Sequence, residues 1–249
     1  MSQLLENYYD SVIALLEKIK KEETPQIEAA AAEVAKRVAE GGRIFAFGAS
    51  HSSLPVQDIV YRAGGLMLIN PLYGPGIEAL TTRPTTLGSQ MEQMPGYGKV
   101  LFDNSPLREG DVLICVSVSG RNAVPVELAR EARANGVFVI GLTSHKYTDA
   151  VTSRVPDGTK LKDHADILLD NKVDAGDAVL ILEGVPQKFT PASGVTSTAI
   201  LHSLSAAIIE KLIENGQEAP VFLAANLDGG AEWNAHHMAK NSDRIFYMY

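Results

Sequence analysis

Residues 111–124, DVLICVSVSGRNAV, contain the strand, the turn and the start of the helix from which the fold is predicted. The apolar run 112–117 predicts a buried strand, and residues 125–135 predict a helix directly after it. Between them lies the turn Ser117-x-Ser119-Gly120-x-Asn122. The glycine permits a tight turn, the hydroxyls are hydrogen-bond donors, and the helix N-terminus presents unpaired N–H groups. By itself this turn is equally suited to holding a phosphate or to capping the helix.

A second turn of the same kind follows the apolar strand 44–47. It contains a glycine and three polar residues, Gly48, Ser50, His51 and Ser52. A helix over 54–61 comes next, with Pro55 in the first turn, where proline is tolerated. Ligands of open parallel sheets bind beyond the carboxyl ends of the strands. We therefore expect both turns to border one pocket.

Strands and helices alternate from residue 43 onward. The further predicted strands are 66–70, 137–143 and 167–170, and a late apolar helix begins near residue 193 and ends near 215. This order predicts an α/β fold in which a five-stranded parallel sheet lies between two layers of helices. The Gly-, Pro- and Thr-rich segment 71–110 is long for a connection and is typical of a lid or pocket wall. Residues 171–190 predict irregular or short β structure.

The N-terminal region predicts two helices, 2–21 and 25–40, with Thr24-Pro25 at the start of the second. They would pack either on their own domain or on a partner subunit. We expect one structural domain, with N-terminal helices over 1–42, a core over 43–215 and a tail over 216–249.

Composition excludes several classes of function. The 249 residues carry a net charge of −8, which argues against broad binding to nucleic acid or to anionic membranes. There is neither a signal-peptide pattern nor an apolar run long enough to span a bilayer. The single cysteine, Cys115, lies in a predicted strand, where a core thiol is favoured over a nucleophile. One cysteine cannot form an intramolecular disulfide, so we expect a cytoplasmic protein.

Dinucleotide and hydrolase sites are also disfavoured. The strand before Gly48 has no G-x-G-x-x-G pattern, and no Walker loop is present. The G-x-S-x-G pattern of the hydrolase elbow is absent around Ser119. We expect no cofactor and no metal.

The two turns, Phe47-Gly-Ala-Ser-His-Ser52 and Ser117-Val-Ser-Gly-Arg-Asn122, resemble those of the SIS (sugar isomerase) phosphosugar-binding domain. Gly141-Leu-Thr-Ser144 and the helix opened by Thr196-Ser-Thr198 support the resemblance. Within that family, Tyr61-Arg-Ala-Gly-Gly65 and Asp228-Gly-Gly230 are similar to a bacterial branch often labelled phosphoheptose isomerase or phosphosugar-binding protein. The resemblance implies a flavodoxin-like sheet and a dimer that binds sugar phosphate near the subunit interface.

The resemblance also implies site residues. Phosphate and sugar would be bound by residues of the two turns and of the late helix, namely Gly48, Ser50, His51, Ser52, Ser117, Ser119, Gly120, Asn122, Thr196 and Ser197. Aldose–ketose isomerisation needs a base and an acid. The candidate bases are Asp58 and Glu78, and the candidate acids are His51 and His202. Val56 stands where phosphoheptose isomerases carry a histidine ligand to zinc, which argues against a metal.

Three functions remain open at the level of the sequence. The first is a sugar-phosphate isomerase or related enzyme. The second is a non-catalytic sugar-phosphate sensor that regulates a partner, and the third is a structural dimer module with a vestigial site.

Overall fold

A computed structural model describes residues 2–248 and contains one five-stranded sheet in the order β2-β1-β3-β4-β5. All four pairings in this sheet are parallel. Its strands are β1 (Ile44–Gly48), β2 (Ile69–Leu72), β3 (Val112–Val116), β4 (Phe138–Thr143) and β5 (Ile167–Asp170). The five-stranded parallel sheet predicted from the sequence is confirmed.

Helices cover both faces of the sheet. They are α1 (Gln3–Ala39), α2 (Ser53–Asp58), α3 (Thr85–Met91), α4 (Tyr97–Asp103), α5 (Ala123–Ala134), α6 (His145–Ala150), α7 (Leu161–His164), α8 (Ser193–Glu214) and α9 (Gly230–Lys240). Residues of α1 and α8 form one apolar core with one face of the strands. Residues of α5 form a second core with the other face. Side chains alternate across a strand, so strands buried on both faces need two apolar layers, and the three-layer arrangement follows.

The N-terminal region is one helix, which corrects the prediction of two. Pro25 lies inside α1 and interrupts the backbone hydrogen-bond ladder. The Thr24 hydroxyl donates to the carbonyl of Lys20 at 2.6 Å. The apolar stripe from Ile27 to Val38 packs against α8. Burial of this stripe holds the helix together across the proline, whose local signal alone favoured a break.

A buried ionic network also attaches α1 to the sheet. Glu23 accepts the backbone N–H of Asp170 at 3.0 Å. The Lys172 ammonium lies 2.6 Å from Glu23 and 3.2 Å from Asp170. Of the two packing modes left open by the sequence, the C-terminal part of α1 therefore packs on its own domain.

The segment 71–110 contains α3 and α4 and lies over α5. The buried Glu127 of α5 accepts the N–H of Gly96 at 2.8 Å and that of Gly98 at 3.2 Å. Gly98 contacts α5 so closely that an added Cβ would lie 2.5 Å from the carbonyl of Val124. The segment is thus fixed to the helix that follows the second serine turn.

The remaining parts of the structure are a short β-hairpin and a C-terminal tail that packs against β2. The predicted irregular segment forms an antiparallel hairpin of β6 (Ala178–Leu180) and β7 (Phe189–Pro191). In the tail, the buried Asn70 of β2 donates to the carbonyl of Arg244 and accepts the N–H of Phe246. Among residues 2–248, no helix is long and apolar enough to cross a membrane.

At the amino end of the sheet, Arg43 and Asp111 form a buried ion pair. They are 8% and 0% exposed. The Asp111 carboxylate accepts the N–H of Arg43 at 2.9 Å, its Nε at 3.0 Å, and the N–H of Arg108 at 3.0 Å. These contacts join the residues that precede β1 and β3, so they fix the start of the central strand pair.

We expect Asp111→Ala to lower the free energy of unfolding by about 3–5 kcal/mol, because it leaves the Arg43 guanidinium buried and unpaired. Urea unfolding followed by circular dichroism measures the change. Asp103→Ala is the matched control, since Asp103 pairs with Lys99 on the exposed face of α4 and such pairs contribute little. Equal losses in the two variants would contradict a structural role for the buried pair.

Candidate functional site

The register of β1 and β3 places the two serine turns side by side. Gly48 pairs with Val116, so both strands end at the same level of the sheet. The turns border a cavity of about 410 Å³. The predicted residues that line it are Ser50, His51, Ser52, Ser117, Ser119, Asn122 and Ser197. The expectation that both turns border one pocket is therefore confirmed.

The first turn has a constrained backbone. Ser50 has a φ of +51°, which is uncommon for a residue with a side chain, and its N–H donates to the carbonyl of Ile77 at 2.6 Å. A Cβ on Gly48 would lie 2.1 Å from the carbonyl of Ser52. Gly48 does not line the cavity and instead allows the turn to close behind the serines.

The second turn folds back over β4 and α6. Gly120 has a φ of +61°, and a Cβ there would lie 2.9 Å from the Thr148 hydroxyl oxygen. That hydroxyl donates to the carbonyl of Ser119 at 3.1 Å. Gly120 therefore shapes the turn, while Ser117 and Ser119 line the cavity.

Asn122 connects the second turn to two charged residues that the sequence analysis missed. Its Nδ2 donates to Oε1 of Glu92 at 2.6 Å, and its Oδ1 accepts Nη1 of Arg154 at 2.8 Å. Both charged side chains line the cavity, as does Arg121. Burial raises the pKa of Glu92 to about 7, and the opposing effect of Arg154 is smaller.

The sequence indicates some of these missed residues more strongly than others. Arg121 lies within the serine turn and could have been chosen from the motif. Glu92 and Arg154 lie in connections whose sequences carry no periodic signal. The remaining lining residues not named from the sequence include Tyr147, Asp177 and Ser193.

The Asp177 side chain caps the N-terminus of α8. Its Oδ1 accepts the N–H of Ser193 at 2.7 Å and that of Ala192 at 3.2 Å. Ser197, one turn further along, lines the cavity and accepts Nδ2 of Asn171 at 3.0 Å. Thr196 is fully buried, its hydroxyl faces the carbonyl of Ala192 at 3.3 Å, and it does not line the cavity.

A second, wider cavity of about 1110 Å³ adjoins the first. His51, Pro55, Asp177, Ser193 and Gly194 line both cavities. The wider one also contains two predicted catalytic residues, His202 of α8 and Asp58 of α2. Nε2 of His202 lies 2.9 Å from Oδ2 of Asp58. The structure thus brings together one predicted base and one predicted acid beside the serine turns.

Glu78 lies apart from this pair. Its backbone pairs with Ser50, and its side chain is not among those that line either cavity. Its negative charge contributes to raising the pKa values of Tyr73 and Tyr97, where burial is the larger cause. A catalytic role for Glu78 stays a prediction.

The residues present do not fit a zinc site. Val56, which replaces the expected histidine ligand, is 2% exposed and belongs to the apolar core. Asp58 and His202 supply two donors, whereas structural and catalytic zinc sites need at least three protein ligands. Between residues 2 and 248, no three His, Cys, Asp or Glu side chains are grouped so as to hold a metal ion.

Comparison with known proteins identifies the class of this chain. A sequence model of the SIS domain matches residues 7–144, which is more than half of the chain. The chain therefore belongs to the SIS domain family, as the two turns indicated.

Within that class the chain is a member of the UPF0309 family. It is 49% identical to a UPF0309 protein of Streptomyces griseus over 248 residues, covering 100% of this chain and 99% of the relative. It is 35% identical to a UPF0309 protein of Geobacillus thermodenitrificans, covering 97% of this chain and 96% of that one.

Solved structures of low sequence identity share the fold. A phosphoheptose isomerase from Neisseria gonorrhoeae superposes with a TM-score of 0.56 at 20% identity, covering 83% of this chain and 97% of that one. A phosphoheptose isomerase from Francisella tularensis gives a TM-score of 0.54 at 18% identity, covering 84% and 100%. At these identities the likeness concerns the fold alone.

The raised pKa of Glu92 predicts a pH-dependent stability. The folded chain holds this proton up to about pH 7, whereas the unfolded chain releases it near pH 4.5. The free energy of unfolding therefore falls as the pH rises from about 4.5 to about 7. Replacing Glu92 by glutamine should remove that loss, which we expect to be about 1–3 kcal/mol. The measurement is urea unfolding at pH 4.5, 6 and 7.5.

Glu17→Gln, at an exposed position of α1, is the control for removing one carboxylate. If the wild type and Glu92→Gln follow the same pH curve, Glu92 is ionised in the folded protein over this range.

Proposed function

We propose that the 410 Å³ cavity binds the phosphate group of a sugar phosphate. The observation that carries the proposal is the presence of two serine turns from neighbouring parallel strands on one cavity wall. Ser117 and Ser119 precede α5, a helix of 12 residues whose N-terminus favours an anion. Hydroxyl donors and a helix N-terminus suit a phosphate better than they suit a neutral ligand.

The two guanidinium groups of the cavity agree with this proposal. Arg121 and Arg154 line it, although the whole chain carries a net charge of −8. The adjoining cavity gives space for the sugar, because the shared residues His51, Ser193 and Gly194 join the two. The two structural neighbours are phosphoheptose isomerases, which supports a phosphosugar ligand as a proposal for this chain.

We propose further that the protein is an aldose–ketose isomerase of sugar phosphates. This reaction removes a proton from the carbon next to a carbonyl and returns it to the neighbouring carbon. The Asp58 carboxylate is suited to act as the base. His202, 2.9 Å away, is suited to hold the Asp58 carboxylate in place or to donate a proton to an oxygen of the substrate.

A sensor function is the second candidate, and one contact favours it. Asp58 also pairs with Arg62 one helical turn further along. A carboxylate held by an imidazole and a guanidinium is suited to a fixed structural contact as well as to catalysis. Binding without turnover would assign the protein to the sensor class.

We propose that the protein acts as a homodimer. The N-terminal half of α1 exposes the large apolar side chains Leu5, Tyr9 and Ile13, each more than half exposed. They recur every four residues and so share one face of the helix. This face would pack against a second copy of the chain, the other mode expected from the sequence.

Ser119→Ala should weaken phosphosugar binding about tenfold, because it removes a hydrogen bond to a charged group. A panel of pentose, hexose and heptose phosphates is screened by thermal shift, and the dissociation constant of each binder is measured by calorimetry. Ser203→Ala, on the exposed side of α8, is the control and should bind as the wild type does. An unchanged affinity in Ser119→Ala would remove Ser119 from the site.

Asp58→Asn should reduce isomerisation at least about 100-fold while leaving affinity within a few-fold, because general acid–base groups typically contribute this much to the rate. The measurement is exchange of the C2 proton of a bound aldose phosphate with D₂O, followed by NMR. Asp243→Asn, in the exposed tail, is the control. Tight binding with no exchange in the wild type would establish the sensor function and reject the isomerase.

A further inference from the structure

Glu92 is held in the cavity by contacts from two directions. The N–H of Val124 donates to its backbone carbonyl at 3.1 Å, and Asn122 donates to its carboxylate at 2.6 Å. Asn122 is itself held by Arg154 at 2.8 Å. The side chain therefore has a fixed position among the groups that line the cavity, rather than one free to move into solvent.

The segment that carries Glu92 cannot easily withdraw. Glu127 of α5 binds the N–H groups of Gly96 and Gly98, just beyond Glu92 in the chain. Glu92 is thus attached to α5 both through its own contacts and through those of the residues that follow it. Since α5 begins directly after the second serine turn, the position of the Glu92 carboxyl relative to that turn is fixed.

The electrostatic surroundings of Glu92 include groups of both signs. The other titratable or charged residues that line the same cavity are His51, Arg121, Tyr147, Arg154 and Asp177. Arg154 reaches Glu92 through the Asn122 amide, and its charge only partly offsets the effect of burial. The Nε of Arg121 is buried without a hydrogen-bond partner among residues 2–248, and the Arg121 guanidinium adds positive charge to the same cavity.

We propose that Glu92 is a ligand-binding residue of this cavity that stays a neutral carboxylic acid when an anion occupies the serine turns, and that its O–H group donates to an oxygen of the ligand. The inference rests on the proposed phosphate site. An anion in the same half-buried cavity disfavours a second negative charge there. A neutral acid adds a donor for the oxygen-rich end of a sugar, whereas a carboxylate could only accept.

The experiment measures the ionisation of Glu92 directly. Protein labelled with ¹³C at the glutamate side-chain carboxyl is titrated by NMR from pH 5 to 9, with and without inorganic sulfate, a phosphate mimic that does not titrate in this range. Glu92→Gln assigns the signal. We expect the signal to titrate near neutrality and its pKa to rise by roughly one unit when sulfate binds.

The same coupling must appear in the affinity, because linkage is reciprocal. Wild-type protein should bind sulfate roughly ten times less tightly once Glu92 is ionised than while it is protonated. In Glu92→Gln this part of the pH dependence should be absent. Any contribution from His51 persists in Glu92→Gln, so the difference between the two proteins isolates Glu92.

The outcomes separate this inference from the proposed function. The Gly120 amide resonance reports occupancy of the serine turn, and Ser119→Ala, which weakens the turn, should reduce the sulfate effect on Glu92. A response at Gly120 with an unchanged Glu92 pKa would overturn the inference and leave the phosphate site standing. No response at either position would overturn both. A carboxyl signal that titrates only in the ordinary acidic range would reject the inference alone.

Discussion

The parallel pairing of β1 with β3 positions every other part of the candidate site. It aligns Gly48 with Val116, so both strands end at one level and both serine turns open into one space. The buried pair of Arg43 and Asp111 fixes the other end of the same strands. A shift of this register by one residue would exchange the two faces of a strand, because side chains alternate along it. The site thus depends on the packing of the sheet core.

Three connections bring further chemistry to that edge of the sheet. The segment 71–110 contributes Glu92, the connection between α6 and α7 contributes Arg154, and the residues before β6 contribute Asp177. Each is fixed by hydrogen bonds to a core element rather than by its own regular structure. The combination of hydroxyls, guanidinium groups and two carboxyls suits a ligand that is anionic at one end and rich in oxygen at the other.

The adjoining cavity gives the site its second half. Asp58 and His202, which line only this cavity of the two, come from helices far apart in the chain, and their side chains meet at 2.9 Å. The proposed functions differ only in whether this pair moves a proton. The shared wall of the two cavities places this pair beside the proposed phosphate site in either case.

The five parallel strands, the helical layers and the two turns could be predicted from the sequence, because hydrophobic periodicity and turn residues are local signals. It also supplied Ser50, Ser52, Ser117, Ser119 and Asn122, all of which line the cavity. The continuation of α1 through Pro25 could not be predicted in this way, since long-range packing against α8 outweighs the local break. Glu92 and Arg154 reach the site through tertiary contacts alone, because their positions follow from how their connections fold against the turn at Asn122 and not from any spacing in the sequence.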